Sequence, residues 1–129
     1  MQNAKKIIVV DDETDICSCI KRILTQKGYD VSAFTDGREA LESLKAMRWA
    51  DMIILDIMMP NMNGFQALQE LKDLGFAEIP IIFVTAKSES GDVARGHDMG
   101  ASIYLTKPFE PEALLNAVSY LIGEPANTG

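Results

Sequence analysis

Three observations predict an α/β fold, a doubly wound parallel sheet. Strand and helix patterns alternate five times along the 129 residues. Four apolar runs carry chemically active residues at or just past their ends: Ile7-Ile8-Val9-Val10 before Asp11 and Asp12, Met52-Ile53-Ile54-Leu55 before Asp56, Ile81-Ile82-Phe83-Val84 before Thr85, and Ile103-Tyr104-Leu105 before Thr106 and Lys107. The strands also differ in kind. The first, third and fourth are continuous apolar runs, as strands covered on both faces must be. The second and fifth are mixed with Ser32, Thr35, Ser102 and Thr106, as edge strands are. Alternating strands and helices argue for a parallel sheet with helices on both faces.

The elements follow in order. The first strand is Lys6–Val10. A helix from about Thr14 to Lys27 sets Ile16, Ile20, Ile23 and Leu24 on one stripe. Gly28 closes it, being able to adopt positive φ. Val31–Phe34 is the second strand, and Asp36-Gly37 turns into a helix with Ala40, Leu41, Leu44 and Met47 inward. Met52–Leu55 is the third strand. Residues Pro60 to Gly64 form a loop into a helix carrying Phe65, Leu68 and Leu71. Pro80 precedes the fourth strand, Ile81–Val84. A weaker helix is predicted from about Gly91 to Met99, ended by Gly100. Ile103–Leu105 is a short fifth strand. Pro111 suits the first turn of a last helix, with Leu114, Leu115, Val118, Leu121 and Ile122 inward. The sorting of strands is compatible with order 2-1-3-4-5, the flavodoxin-like (βα)5 arrangement. That order sets the first and third strands side by side, with Asp11, Asp12 and Asp56 as neighbours.

Length and a 47% hydrophobic composition fit one domain, residues 1–123, with 124–129 as a flexible tail or the start of a linker. No apolar run approaches a bilayer span, and the four apolar residues after Lys6 are too few for a signal-peptide core. The expected location is cytoplasmic. A net charge of −7 argues against direct binding to nucleic acid or to anionic lipid. Cys17 and Cys19, two apart on a helix, point to different faces and are expected to stay reduced. His97 is the sole histidine, so a zinc site is not expected.

In an open parallel sheet, ligands bind outside the carboxyl ends of the strands. Three crowded carboxylates repel, so one takes a proton or a cation neutralises them. Oxygen-only ligands favour a hard cation, Mg2+ or Mn2+. A carboxylate can itself attack phosphorus to form an aspartyl phosphate. Thr85 can donate a hydrogen bond to one phosphoryl oxygen and Lys107 can pair with another. Each residue alone has a plainer reading. The aspartates, or Thr14, could cap the first helix, Thr85 could serve a loop, and Lys107 could be a surface lysine. Their joint occurrence at four strand ends favours a site for Mg2+-assisted phosphoryl chemistry.

The residues resemble the receiver domain of two-component response regulators, the superfamily of the single-domain chemotaxis regulator. The resemblance runs from about Lys5 to Ile122. It rests on Val9-Val10-Asp11-Asp12-Glu13, Leu55-Asp56-Ile57-Met58-Met59-Pro60, Asn63-Gly64, Val84-Thr85-Ala86 and Leu105-Thr106-Lys107-Pro108-Phe109. It implies a phosphorylation-dependent signalling switch rather than an enzyme in the usual sense, though one that assists its own phosphorylation and dephosphorylation. Asp56 would accept a phosphoryl group from a histidine kinase or a histidine phosphotransfer protein. Asp11, Asp12 and Asp56 would hold Mg2+, with the backbone carbonyl of Met58. Lys107 would pair with the phosphoryl group, and its bond to Pro108 would be cis. Thr85 and Tyr104 would move together as the switch. The change would remodel the face made by the helix at 91–99, the fifth strand and the last helix, for an output partner or fused effector domain.

Departures from the family pattern carry their own expectations. Receivers that dimerise to drive DNA-binding domains commonly place two acidic residues before the switch aromatic and a basic residue early in the last helix. Here those places hold Ser102, Ile103 and Glu112, so a monomer or weak dimer is expected. Met58 and Lys87 border the path of an attacking water, and substituting either is expected to alter phosphoryl lifetime. Two rival readings are a receiver-like interaction module without phosphorylation and an aspartyl-phosphate phosphohydrolase of the haloacid dehalogenase type. The phosphohydrolase family needs a second acid two positions after the nucleophile, where this chain has Met58. The interaction module would usually have lost Asp56, Thr85 or Lys107, and all three are present. A nucleotide site is not expected, since no Gly-rich phosphate loop follows the first strand.

Overall fold

The computed structural model describes residues 4–57, 59, 62–85 and 102–125. Met58, Lys87, the helix expected at 91–99 and the last four residues lie outside the described residues. The elements are β1 (Lys6–Val10), α1 (Thr14–Lys27), β2 (Asp30–Phe34), α2 (Gly37–Met47), β3 (Met52–Asp56), α3 (Gly64–Asp73), β4 (Ile81–Thr85), β5 (Ile103–Thr106) and α4 (Pro111–Ile122). All strands are parallel, in the order β2-β1-β3-β4-β5. The expected order is therefore the observed one, with the mixed strands at the two edges.

The period of two along each strand divides the core into two layers. Ile8, Val10, Ile53, Leu55, Ile81 and Phe83 face one side, packed with Leu41, Leu44, Phe65, Leu68 and Leu71 of α2 and α3. Ile7, Val9, Met52, Ile54, Ile82 and Val84 face the other, against Ile20 and Leu24 of α1 and Leu114 and Val118 of α4. Burying one such side chain stabilises the fold by about 1.5–3 kcal/mol. Apart from Lys6 at the start of β1 and Asp56 and Thr85 at the ends of β3 and β4, the central strands are therefore apolar on successive residues, because both faces are covered.

Local chemistry fixes where helices begin. Asp36 caps α2 by accepting from Arg38 N at 2.8 Å. Asn63 and Gln66 form a capping box on α3, each side chain accepting from the other's backbone N–H at 2.9 Å. At α1 the N-cap is Glu13, without a side-chain cap bond, and Thr14 is the first helical residue. Neither Thr14 nor Asp12 is the cap. Asp11 instead folds the turn before the helix, its Oδ1 accepting from Glu13 N at 2.9 Å. Pro111 opens α4 as expected.

The end of α4 is tied to the opposite edge of the sheet from the aspartates. Lys5 Nζ donates to Ile122 O, and Tyr29 Oη donates to Gly123 O at 2.9 Å. Gly28, at φ 114°, leaves room for Pro125, whose Cβ would lie 3.1 Å from a Cβ added there. Any L side chain at Gly28 would be strained by its φ and would press on Pro125.

Candidate functional site

Strand register builds the site. Val10 pairs with Leu55, so Asp11 emerges level with Asp56. Asp56 pairs with Val84, which brings Thr85 one step further along β4. Thr85 pairs with Thr106, and Lys107 N donates to Thr85 O at 2.7 Å. Four neighbouring strands thus deliver Asp11, Asp56, Thr85 and Lys107 to one row at their carboxyl ends. Asp11, Asp56 and Thr85 are buried, at 1%, 3% and 3% exposure, and are the buried polar residues among those described. Asp12 is exposed at the mouth.

Lys107 crosses the site. Its Nζ lies 2.8 Å from Asp11 Oδ2, 2.9 Å from Glu13 Oε1 and 3.3 Å from Asp56 Oδ2. Burial works against the charged ammonium most strongly, but the adjacent Asp11 and Glu13 carboxylates and the charge of Asp56 outweigh it together. The lysine pKa is raised above its ordinary value. Lys107 thus brings a positive charge to the carboxylate cluster.

The cluster also suits a divalent ion. One oxygen from each of Asp11, Asp12 and Asp56 lies within 4.8 Å of the others. Asp11 Oδ2 is buried and makes no hydrogen bond; only the nearby ammonium supports it. A buried carboxylate oxygen in that state is costly unless a cation meets it, and the all-oxygen donor set is that of Mg2+. Asp11, Asp12 and Asp56 would hold such an ion, which would supply positive charge to the site.

The turn after β3 needs a close approach. Gly64 N donates to Ile57 O at 2.9 Å, seating the start of α3 against the end of β3. A Cβ on Gly64 would lie 2.7 Å from Phe83 Cε1 and 2.9 Å from the Asp56 carbonyl oxygen. Tyr104, half-buried on β5, continues the aromatic row, its ring 5.4 Å from Phe83, which is 5.4 Å from Phe65. The Lys107–Pro108 peptide bond is cis. Of the residues expected at the site, Asp11, Asp12, Asp56, Thr85 and Lys107 come together; Tyr104 lies on the α2–α3 face of the sheet. Met58 falls outside the described residues. Sequence reasoning gave no role to Glu13 or Gly64. The only signal was their place in the two motifs, directly after Asp12 and directly before Phe65.

A family profile described as the response regulator receiver domain matches residues 7–119. The chain belongs to this receiver domain family. Among curated receiver-containing proteins, the chain is similar to the transcriptional regulatory protein DltR of Streptococcus agalactiae serotype III (strain NEM316), 42% identical over 110 residues, covering 85% of this chain and 48% of DltR. It is also similar to the alkaline phosphatase synthesis transcriptional regulatory protein PhoP of Bacillus subtilis (strain 168), 40% identical over 107 residues, covering 83% of this chain and 44% of PhoP. The chain spans about half the length of these curated relatives. Among solved receiver structures, the Vibrio cholerae chemotaxis protein CheY4 superposes with a TM-score of 0.86 at 32% identity, covering 92% of this chain and 99% of CheY4. Receiver domains are signalling switches rather than conventional enzymes, and they generally bind Mg2+ at an acidic pocket.

Proposed function

We propose that this receiver accepts a phosphoryl group on Asp56 and thereby switches an output surface. The observation that carries the reading is the Asp56 carboxylate, buried at the end of β3 with Lys107 Nζ 3.3 Å away and Asp11 beside it. The donor is a phosphohistidine of a histidine kinase or a histidine phosphotransfer protein. An Asp56 oxygen forms the new bond to phosphorus while the P–N bond breaks, and the imidazole nitrogen keeps that electron pair. Lys107 and the Thr85 hydroxyl meet the phosphoryl oxygens. Asp11, Asp12 and Asp56 would hold Mg2+; the Met58 carbonyl expected with them lies outside the described residues. The same residues assist acceptance and hydrolysis, so the protein participates in its own phosphorylation and dephosphorylation.

Thr85 and Tyr104 relay the change to the edge of the sheet. Thr85 sits on the strand next to that of Asp56 and Tyr104 on the strand beyond it, and Tyr104 joins the apolar layer through Phe83. A charge placed on Asp56 biases this edge between two arrangements. Output passes to a partner or a fused effector domain, from a cytoplasmic location, and the receiver acts as a monomer or weak dimer.

The test is intact mass after incubation with acetyl phosphate and Mg2+, beside Asp56→Ala and a metal-free control. One added phosphoryl group, lost in both controls, is the expected result. An adduct that persists in Asp56→Ala moves the acceptor elsewhere. No adduct in any sample reduces the chain to an interaction module.

A further inference from the structure

Lysine has three N–H donors, and Lys107 has three carboxylates within 3.3 Å: Asp11, Glu13 and Asp56. A phosphoryl oxygen can reach this ammonium only by taking one of those places. The three partners are not equal. Asp11 is 1% exposed, and losing the ammonium 2.8 Å away would leave its buried Oδ2 without a counter-charge, only Oδ1 keeping its bond from Glu13 N. Asp56 is the residue that becomes modified. Glu13 has a side chain 58% exposed, and water replaces the ammonium there at little cost. Its carboxylate has no part in capping α1, which Glu13 serves through its backbone alone.

We propose that Glu13 is a displaceable counter-ion, a positioning residue that holds Lys107 while Asp56 is unphosphorylated and yields it to an incoming phosphoryl oxygen. Glu13 also adds a negative charge beside exposed Asp12 at the mouth of the site. It therefore opposes the arrival of an anionic donor twice, by occupying the lysine and by repulsion. This rests on the reading of Asp56 as the acceptor. The consequence is that Glu13 sets how readily the site takes a phosphoryl group, without touching that group in the product.

The experiment compares wild type, Glu13→Gln, Glu13→Ala and Glu13→Asp for binding of beryllofluoride with Mg2+, read by 19F NMR at low and high salt. Acetyl phosphate kinetics run in parallel. Glu13→Gln is expected to bind beryllofluoride about three- to tenfold more tightly at low salt, the scale of one nearby charge at a protein surface. The gain should shrink as salt screens it. Glu13→Ala should follow Glu13→Gln, and Glu13→Asp should fall back toward wild type. With acetyl phosphate, the half-saturating concentration should drop more than the plateau rate rises. Equal or weaker binding by both Glu13→Gln and Glu13→Ala, while wild type binds normally, overturns the role of Glu13. Failure of wild type itself to bind beryllofluoride or accept a phosphoryl group overturns the Asp56 reading, and this proposal with it.

Discussion

Lys107 is the residue on which the site turns. Removing its charge leaves Asp11 and Asp56 buried beside each other without their ammonium. Lys107→Met is expected to lower stability in metal-free buffer by about 3 kcal/mol, the scale of breaking a buried ion pair. Added Mg2+ should recover more stability in the variant than in wild type, because ligand binding to the folded state is stabilising; denaturant melts with and without Mg2+ check this. The pH dependence follows from the raised lysine pKa. A group whose folded pKa is raised contributes fully below its unfolded value, about 10.4, and loses that contribution as pH rises through the folded value. The gap between wild type and Lys107→Met should hold from about pH 7 to 10 and narrow above it. Cys17 offers a second check. It is buried, and burial first and the Asp11 charge second raise its thiol pKa. Iodoacetamide should label Cys19 well before Cys17, as peptide mass mapping would show. At this scale Asp11, Asp56, Thr85 and Lys107 were legible because each stands at the end of an apolar run. The reach of Glu13 to Lys107 was not, since it joins residues 94 apart in sequence through side chains alone.

Among the elements, α3 is the one whose position governs the site. Gly64 has no room for a methyl group: two of the three nearest atoms are backbone, and Phe83 is fully buried. Gly64→Ala is expected to cost about 1–3 kcal/mol, as overpacking does, and to shift NMR resonances of Ile57 and Phe83 as α3 moves outward. Asn63→Ala removes one half of the capping box and should cost about 1 kcal/mol by denaturant titration. Element bounds were readable from periodicity to within a residue in the strands, and the breakers Gly28 and Pro111 fell where expected. The cap of α1 was not readable. Asp11, Asp12 and Thr14 are plausible cap residues by type and Glu13 is not; Glu13 takes the place through its backbone, with Asp11 turning back to accept its N–H.

At the scale of the whole molecule, the sheet separates two apolar layers and gathers Asp11, Asp56, Thr85 and Lys107 at the carboxyl ends of its strands. The order of strands was legible because continuous and mixed runs report burial on two faces or on one. What composition could not report is which helices share a face. That follows from the parity of the strand residues, with Val10 and Phe83 on the α2–α3 side and Val9 and Val84 on the α1–α4 side. Phe83 links the α2–α3 layer to the β5 edge through its contacts with Phe65 and Tyr104. Phe83→Leu should therefore lower stability by about 1–2 kcal/mol and also broaden or shift Tyr104 resonances, whereas a comparable change at Ile82, on the other layer, should lower stability and leave Tyr104 unmoved.

The tie of Ile122 and Gly123 to Lys5 and Tyr29 has a consequence for tethering. Whatever is joined beyond Pro125 is leashed at the floor of the sheet, about one strand length, roughly 17 Å, below the carboxylates. A short leash from that anchor gives an attached body high effective concentration at the base and little at the mouth. Any folded body joined there by a short linker would therefore lie beside the receiver's base rather than over the mouth of the site.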